Sequence, residues 1–300
     1  MDHLHDVGTD TTGDFTTLGP NPLRPRVSLD VAALTHPGHE RQNNEDQFLV
    51  AHLRRAVSIE ATSLSDADEG RRGSTGHLLL VADGMGGVDG GERASSLAVE
   101  ILRGFFEEGF RSYLHGSRID EKAVHRELRS AFEFADRAIL HRAAADARFE
   151  GMGTTLTMAY LVGPSAHVVH AGDSRAYLYR KGQLTRRTRD HTLVQALVDQ
   201  GTISPEDARS HPHRNVVTNV LGGPAEGVDP DVFRIDLQDG DVLLLCSDGL
   251  TEAVDEAAIA AVLAREPEPS TAAAELIAEA LRRGGPDNVT VVLARVRVAL

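Results

Sequence analysis

The chain has 300 residues, 41% hydrophobic and 25% charged, as in an ordinary globular protein and unlike a disordered or fibrous one. Lys and Arg number 31 against 45 Asp and Glu, and the resulting net charge of −14 disfavours nucleic acid and anionic membranes as partners. The one cysteine, Cys246, excludes an internal disulfide and a thiolate metal cluster, which predicts a cytoplasmic protein.

Residues 1–26 are rich in Thr, Gly, Pro and Asp and read as a flexible tail without the apolar core of a secretory signal. One folded domain is expected over residues 27–300. Two apolar runs, Phe48 to Leu53 and Leu78 to Val81, flank a polar stretch from Ser58 to Gly76 that reads as a long hairpin loop. Helical spacing then places Ala94, Leu97, Ala98, Ile101, Leu102 and Phe105 on one face, and Val124, Leu128, Ala131, Phe132, Ala135 and Ile139 on another. Strands are predicted at Thr155–Leu161, His167–His170 and Ala176–Tyr179, with hairpin turns at Gly163-Pro164 and Lys181-Gly182. A short helix is signalled by Ser204-Pro205-Glu206-Asp207, a strand by Val242–Leu245, a helix led by Ser270 from Ala272 to Leu281, and a last strand by Val289–Val298. No apolar run approaches the roughly 20 residues that span a bilayer. Strands that resume after a helical pair, without β-α-β alternation, predict an α+β protein of antiparallel sheets covered by helices.

Four acids share a placement. Asp83, Asp173 and Asp248 follow apolar runs, Asp287 precedes one, and each has a glycine within two residues. Any single Asp-Gly pair is ordinary turn chemistry. Four of them at strand ends form, if those ends converge, a cluster that is stable only with shared protons or bound cations. An all-oxygen set without Cys points to Mg²⁺ or Mn²⁺ over zinc. Arg41-x-x-Asn44-Glu45-Asp46 adds a guanidinium whose planar fork suits phosphate, although alone it is as well explained as a surface ion pair. The segment Asp83-Gly84-Met85-Gly86-Gly87 lacks both the P-loop lysine and the dinucleotide-binding spacing, which leaves its glycines a role in turning the chain sharply.

Taken in order, Arg41-x-x-Asn44-Glu45-Asp46, Val81-Ala82-Asp83-Gly84-Met85-Gly86-Gly87, Gly151-Met152-Gly153-Thr154-Thr155, Gly172-Asp173-Ser174-Arg175, Asp190-His191, Leu221-Gly222, Ser247-Asp248-Gly249-Leu250 and Asp287-Asn288 resemble the metal-dependent protein phosphatases, the PPM or type 2C family, bacterial members most. The resemblance implies a four-layer α-β-β-α sandwich: two antiparallel sheets flanked by helical pairs. It implies hydrolysis of phosphoserine and phosphothreonine on proteins, with two Mn²⁺ or Mg²⁺ ions and a third as in bacterial members. By the same resemblance Asp83 bridges two ions, Gly84 lends its carbonyl, Asp248 and Asp287 complete one ion, and Glu45 and Asp46 act through water. Asp173 joins Asp248 at the third ion, and Arg41 binds the substrate phosphate. The segment Thr192 to Asn215 corresponds to a flap near the site. Met85 and Val88 stand where relatives carry a proton-donating histidine. Phosphorylated substrates of a serine/threonine kinase and a monomeric state are expected. A pseudophosphatase or a small phospho-metabolite hydrolase are the competing readings.

Overall fold

A computed structural model describes residues 26–54, 75–86, 89–108, 120–224 and 227–299. The predicted tail up to residue 25, nearly all of the Ser58–Gly76 loop, and Val88 lie outside them. In chain order the elements are β1 (Arg26–His36), β2 (Asp46–Arg54), β3 (Thr75–Met85), α1 (Gly90–Glu108) and α2 (Glu121–Ala145). β4 (Gly153–Thr154), β5 (Leu156–Val162), β6 (Ser165–Ala171), β7 (Arg175–Arg180) and β8 (Gln183–Arg186) follow. Then come α3 (Leu193–Asp199), α4 (Pro205–Ser210), β9 (Leu221–Gly222), β10 (Asp231–Asp236), β11 (Val242–Cys246), α5 (Asp248–Ala253), α6 (Glu256–Arg265), α7 (Pro269–Arg282) and β12 (Val289–Ala299).

The strands pair antiparallel into two sheets. One runs β1-β12-β11-β7-β8; the other runs β10-β6-β5-β3-β4-β9, with β2 also on β3. Successive side chains point to opposite faces, and burial of both faces explains why the strand interiors read as unbroken apolar runs. On β3, Leu78, Leu80 and Ala82 pack beneath α1 and α2, while Leu79 and Val81 face the other sheet. On β11, Leu243 and Leu245 meet them between the sheets, while Val242, Leu244 and Cys246 pack under α5, α6 and α7. The expected layering is therefore present, with a helical pair on one outer face and three helices on the other.

Local differences have local causes. The last helix begins at Pro269, one residue before Ser270, because proline fits the first turn; Glu268 precedes it without a side-chain capping bond. At α4 the expected cap is complete, with Ser204 and Asp207 forming a reciprocal capping box. Helices α3 and α5 are one or two turns long, too short to show a period, and β10 alternates too weakly in apolar character to be read.

Because β3 is buried on both faces, Leu79→Ala and Leu80→Ala should each lower unfolding free energy by about 2–5 kcal/mol in urea titration. Leu34→Ala, at a side 40% exposed, should change it by less than about 1 kcal/mol.

Candidate active site

Register fixes the site before any side chain is considered. Asp46, the first residue of β2, lies opposite Asp83 on β3. Cys246 at the end of β11 pairs with both Arg175 and Val291, and His36 at the end of β1 pairs with Val289. The turn bearing Asp173, the start of α5 bearing Asp248, and the approach to β12 bearing Asp287 therefore share one rim of the sandwich. Asp248, two residues past the end of β11, is also the first residue of a helix, where a carboxylate meets the positive end of the helix dipole.

The acids feel one another across this rim. Burial first, then Asp46, Asp248, Asp173 and Asp287, push the Asp83 carboxyl well above its ordinary range. Burial, then Asp173, Glu252, Asp287 and Asp46, do the same to Asp248. Asp46 rises to about 6 through burial, opposed by hydroxyl hydrogen bonds, and Asp173 rises to about 6 through burial and the nearby Asp190. Glu45 is also raised, mainly by burial and against the pull of Arg41. Among the described residues, no three His, Cys, Asp or Glu side chains close into a ready-made ligand cage. The acids are close enough to raise one another's pKa without converging on a point, as mutually repelling charges do.

A set of uncharged partners holds them there. The Ser247 hydroxyl donates to Asp46 Oδ2 at 2.7 Å and the Thr290 hydroxyl to the same atom at 2.6 Å. Asn288 Oδ1 accepts from the Glu45 N–H at 2.7 Å, while its Nδ2 donates to the carbonyls of Pro37 and Asn43, both at 2.9 Å. Asn288 thus pins the segment carrying Arg41, Glu45 and Asp46 to β12. Two glycines bring backbone into the same space: a Cβ on Gly84 would overlap the Gly91 carbonyl oxygen and lie 2.8 Å from that of Glu45. On Gly91 it would lie 2.7 Å from Glu45 Oε2. The Gly84 N–H donates to the Glu45 carbonyl at 3.2 Å, so the two segments run in contact.

Arg41 is more than half exposed and donates to Asp287 Oδ2 at 2.7 Å, so the guanidinium expected to grip phosphate is engaged by one of the acids. His191 accepts at Nδ1 from the Gly172 N–H at 3.3 Å, with Asn219 Nδ2 2.9 Å away. Its other nitrogen, Nε2, lies 3.1 Å from Asp231 Oδ2. With both nitrogens engaged, His191 is no replacement for the histidine absent at Met85.

Asp46 Oδ1 and Asp248 Oδ1 are buried without a hydrogen-bond partner among the described residues. Unpaired buried carboxylate oxygens are costly, and oxygen donors beside them, with no thiolate and no imidazole in the ring, fit a hard divalent cation. Residues 59–287 match the family model described as protein phosphatase 2C. The chain belongs to the protein phosphatase 2C family. Among its relatives, serine/threonine protein phosphatase PstP of Mycobacterium tuberculosis is 42% identical over 223 residues, 73% of this chain and 40% of that protein. This chain thus spans less than half the length of that curated relative. Serine/threonine phosphatase stp of Listeria welshimeri is 36% identical over 217 residues, 72% of this chain and 83% of the relative. The catalytic domain of PstP, solved in complex with two manganese ions, superposes with a TM-score of 0.70 at 36% identity, covering 91% of this chain and 100% of that one.

Within this family frame, reading the motifs located the acids but gave no role to Ser247, Asn288, Thr290 or Gly91. Each lies within a few residues of an acid, and only contact geometry separates them from neighbours that do nothing.

A carboxyl whose pKa is higher folded than unfolded binds its proton more tightly in the fold. Its stabilisation is complete below about pH 4 and is lost as pH rises through about 6. Cation-free protein should accordingly lose stability between about pH 4 and pH 6.5 from Asp46 and Asp173, and Asp46→Asn should flatten that slope in urea titrations at a series of pH values.

Proposed function

We propose that this chain hydrolyses phosphoserine and phosphothreonine on proteins, through a catalytic domain over residues 27–300 that follows a tail at residues 1–26. The observation that carries the reading is the rim of Asp46, Asp83, Asp173, Asp248 and Asp287, with two buried carboxylate oxygens lacking hydrogen-bond partners among the described residues, in a protein phosphatase 2C chain. The residues that would hold Mn²⁺ or Mg²⁺ are Asp83 as the shared ligand, the Gly84 carbonyl, Asp248 and Asp287, with Glu45 and Asp46 acting through water. Asp173 would join Asp248 at a third ion. Such ions lower the pKa of water toward neutrality and offset charge on the phosphoryl oxygens.

The remaining work belongs to the chain itself. Phosphoryl transfer has a loose transition state, so positioning and electrostatics dominate. Arg41, exposed and presenting a fork, would orient the phosphate once released from Asp287. Ser247, Thr290 and Asn288 hold the carboxylates and the Arg41 segment in place, and the Gly84–Gly91 approach excludes bulk from the floor. Among the described residues no helix is long and apolar enough to cross a membrane. The reading adds a cytoplasmic location, on the reduced, buried Cys246, and a monomer acting on substrates of a serine/threonine kinase. A pseudophosphatase reading is disfavoured because none of the expected acids is missing from the rim.

Release of phosphate from a phosphothreonine peptide should require added Mn²⁺ or Mg²⁺; full turnover after exhaustive chelation would falsify the reading. Asp83→Asn should lower kcat more than about 100-fold and more than Asp173→Asn does, because a shared ligand serves two ions. Arg41→Ala should raise KM by about tenfold with a smaller change in kcat, as expected for uniform binding of phosphate; a kcat loss at constant KM would place Arg41 in the transition state instead.

A further inference from the structure

A cavity of about 810 Å³ is lined by Asp173 and Asp248 of the acid rim and by residues of the segment from Thr192 to Asn215. Five arginines line it. Three are held by carboxylates. Arg175 grips Asp190 at 2.7 Å, Arg186 pairs with the same acid, and Arg283 pairs with Asp255 at 3.0 Å and Glu279 at 2.7 Å. Arg209 and Arg214 are exposed and have no carboxylate partner among the described residues. In a chain of net charge −14, these two guanidiniums are the lining cations of the cavity left without a carboxylate among the described residues.

The segment that carries them is built to keep them there. Arg209 lies in the last turn of α4, whose start is fixed by the Ser204–Asp207 capping box. Arg214 follows a turn in which its N–H donates to the His211 carbonyl at 3.1 Å and the His213 N–H to His211 Nδ1 at 3.1 Å. The two ends of the segment are joined where Leu193 N–H donates to the Val216 carbonyl at 2.9 Å and Thr192 bridges Val217. Of the other lining acids, Asp255 is occupied by Arg283 and by the Ala258 N–H and Asp190 by Arg175 and Arg186, while Glu252 and Glu256 share the lining with the open pair.

We propose that Arg209 and Arg214 form a second anion subsite that selects substrates carrying another phosphorylated residue a few positions from the one being hydrolysed. This rests on the phosphatase reading and names its preferred substrate class. A guanidinium fork matches phosphate with two parallel hydrogen bonds, and a phosphoryl group carries about two charges where a carboxylate carries one. An extended peptide advances about 3.3 Å per residue, so a second phosphate two to five residues away lies about 7–17 Å from the first.

The test compares kcat/KM for a singly phosphorylated threonine peptide with that for the same peptide carrying a second phosphothreonine at spacings of one to six residues. Holding Mn²⁺ saturating, the wild-type protein should favour one spacing by about tenfold, from charge-assisted hydrogen bonds discounted for exposure. In the Arg209→Ala/Arg214→Ala double variant that ratio should fall to near one, whereas Lys122→Ala/Arg126→Ala, which removes the same two charges from exposed positions of α2, should keep it. Because the readout is a ratio within each enzyme, a general loss of activity cancels. A wild-type ratio near one at every spacing, or a preference that survives in the double variant, overturns the subsite. A glutamate that replaces the second phosphate with equal effect overturns its assignment to phosphate. Failure of the wild-type protein to release phosphate from the singly phosphorylated peptide defeats the underlying phosphatase reading, a separate outcome.

Discussion

Like charges confined at one rim are the constraint on which the rest of the molecule depends. Burial and nearby acids raise the proton affinity of Asp46, Asp83, Asp173 and Asp248, and these carboxylates remain together because the backbone gives them no alternative. The sandwich supplies that compulsion: β2 and β3 place Asp46 opposite Asp83, and strands from both sheets deliver the others to the same edge. Cores buried on both faces make the strands rigid enough to resist the repulsion they impose.

Neutral partners share that work. Two hydroxyls on a single oxygen of Asp46 favour its charged form against the desolvation that disfavours it. Asn288 does something different, since it satisfies backbone groups of a segment that has no regular structure of its own between β1 and β2. That segment carries Arg41 and Glu45, so one buried amide decides where both point.

Strand interiors were legible in the sequence because burial on both faces leaves runs such as Leu78–Ala82 and Val242–Leu245 unbroken, and the two long helices because their apolar faces repeat. The acids were legible because each stands beside a turn residue at the end of such a run. The engagement of Arg41 by Asp287, the clasp on His191 and the companions Ser247 and Thr290 were not, since they join residues more than 20 positions apart or depend on which ring nitrogen carries a proton. Pattern reading reports a face or a turn and has no access to such pairings. Helices α3 and α5 went unread for a simpler reason: six or seven residues hold too few turns to show a period, and neither combines the cap, proline and acidic first turn that marked the equally short α4.

The bond from Thr290 to Asp46 spans 244 residues of chain, and that from Asn288 to Glu45 spans 243. Closing loops of that size is entropically slow and becomes favourable only after the sheets they connect have formed. The acid rim is therefore among the last features to assemble during folding, and no early intermediate with a single sheet can contain it. Because Asn288 and Thr290, at the entry to β12, carry the contacts with Glu45 and Asp46, a nascent chain that ends before them holds the earlier acids without this scaffold, so the site is completed only after β12 has emerged from the ribosome.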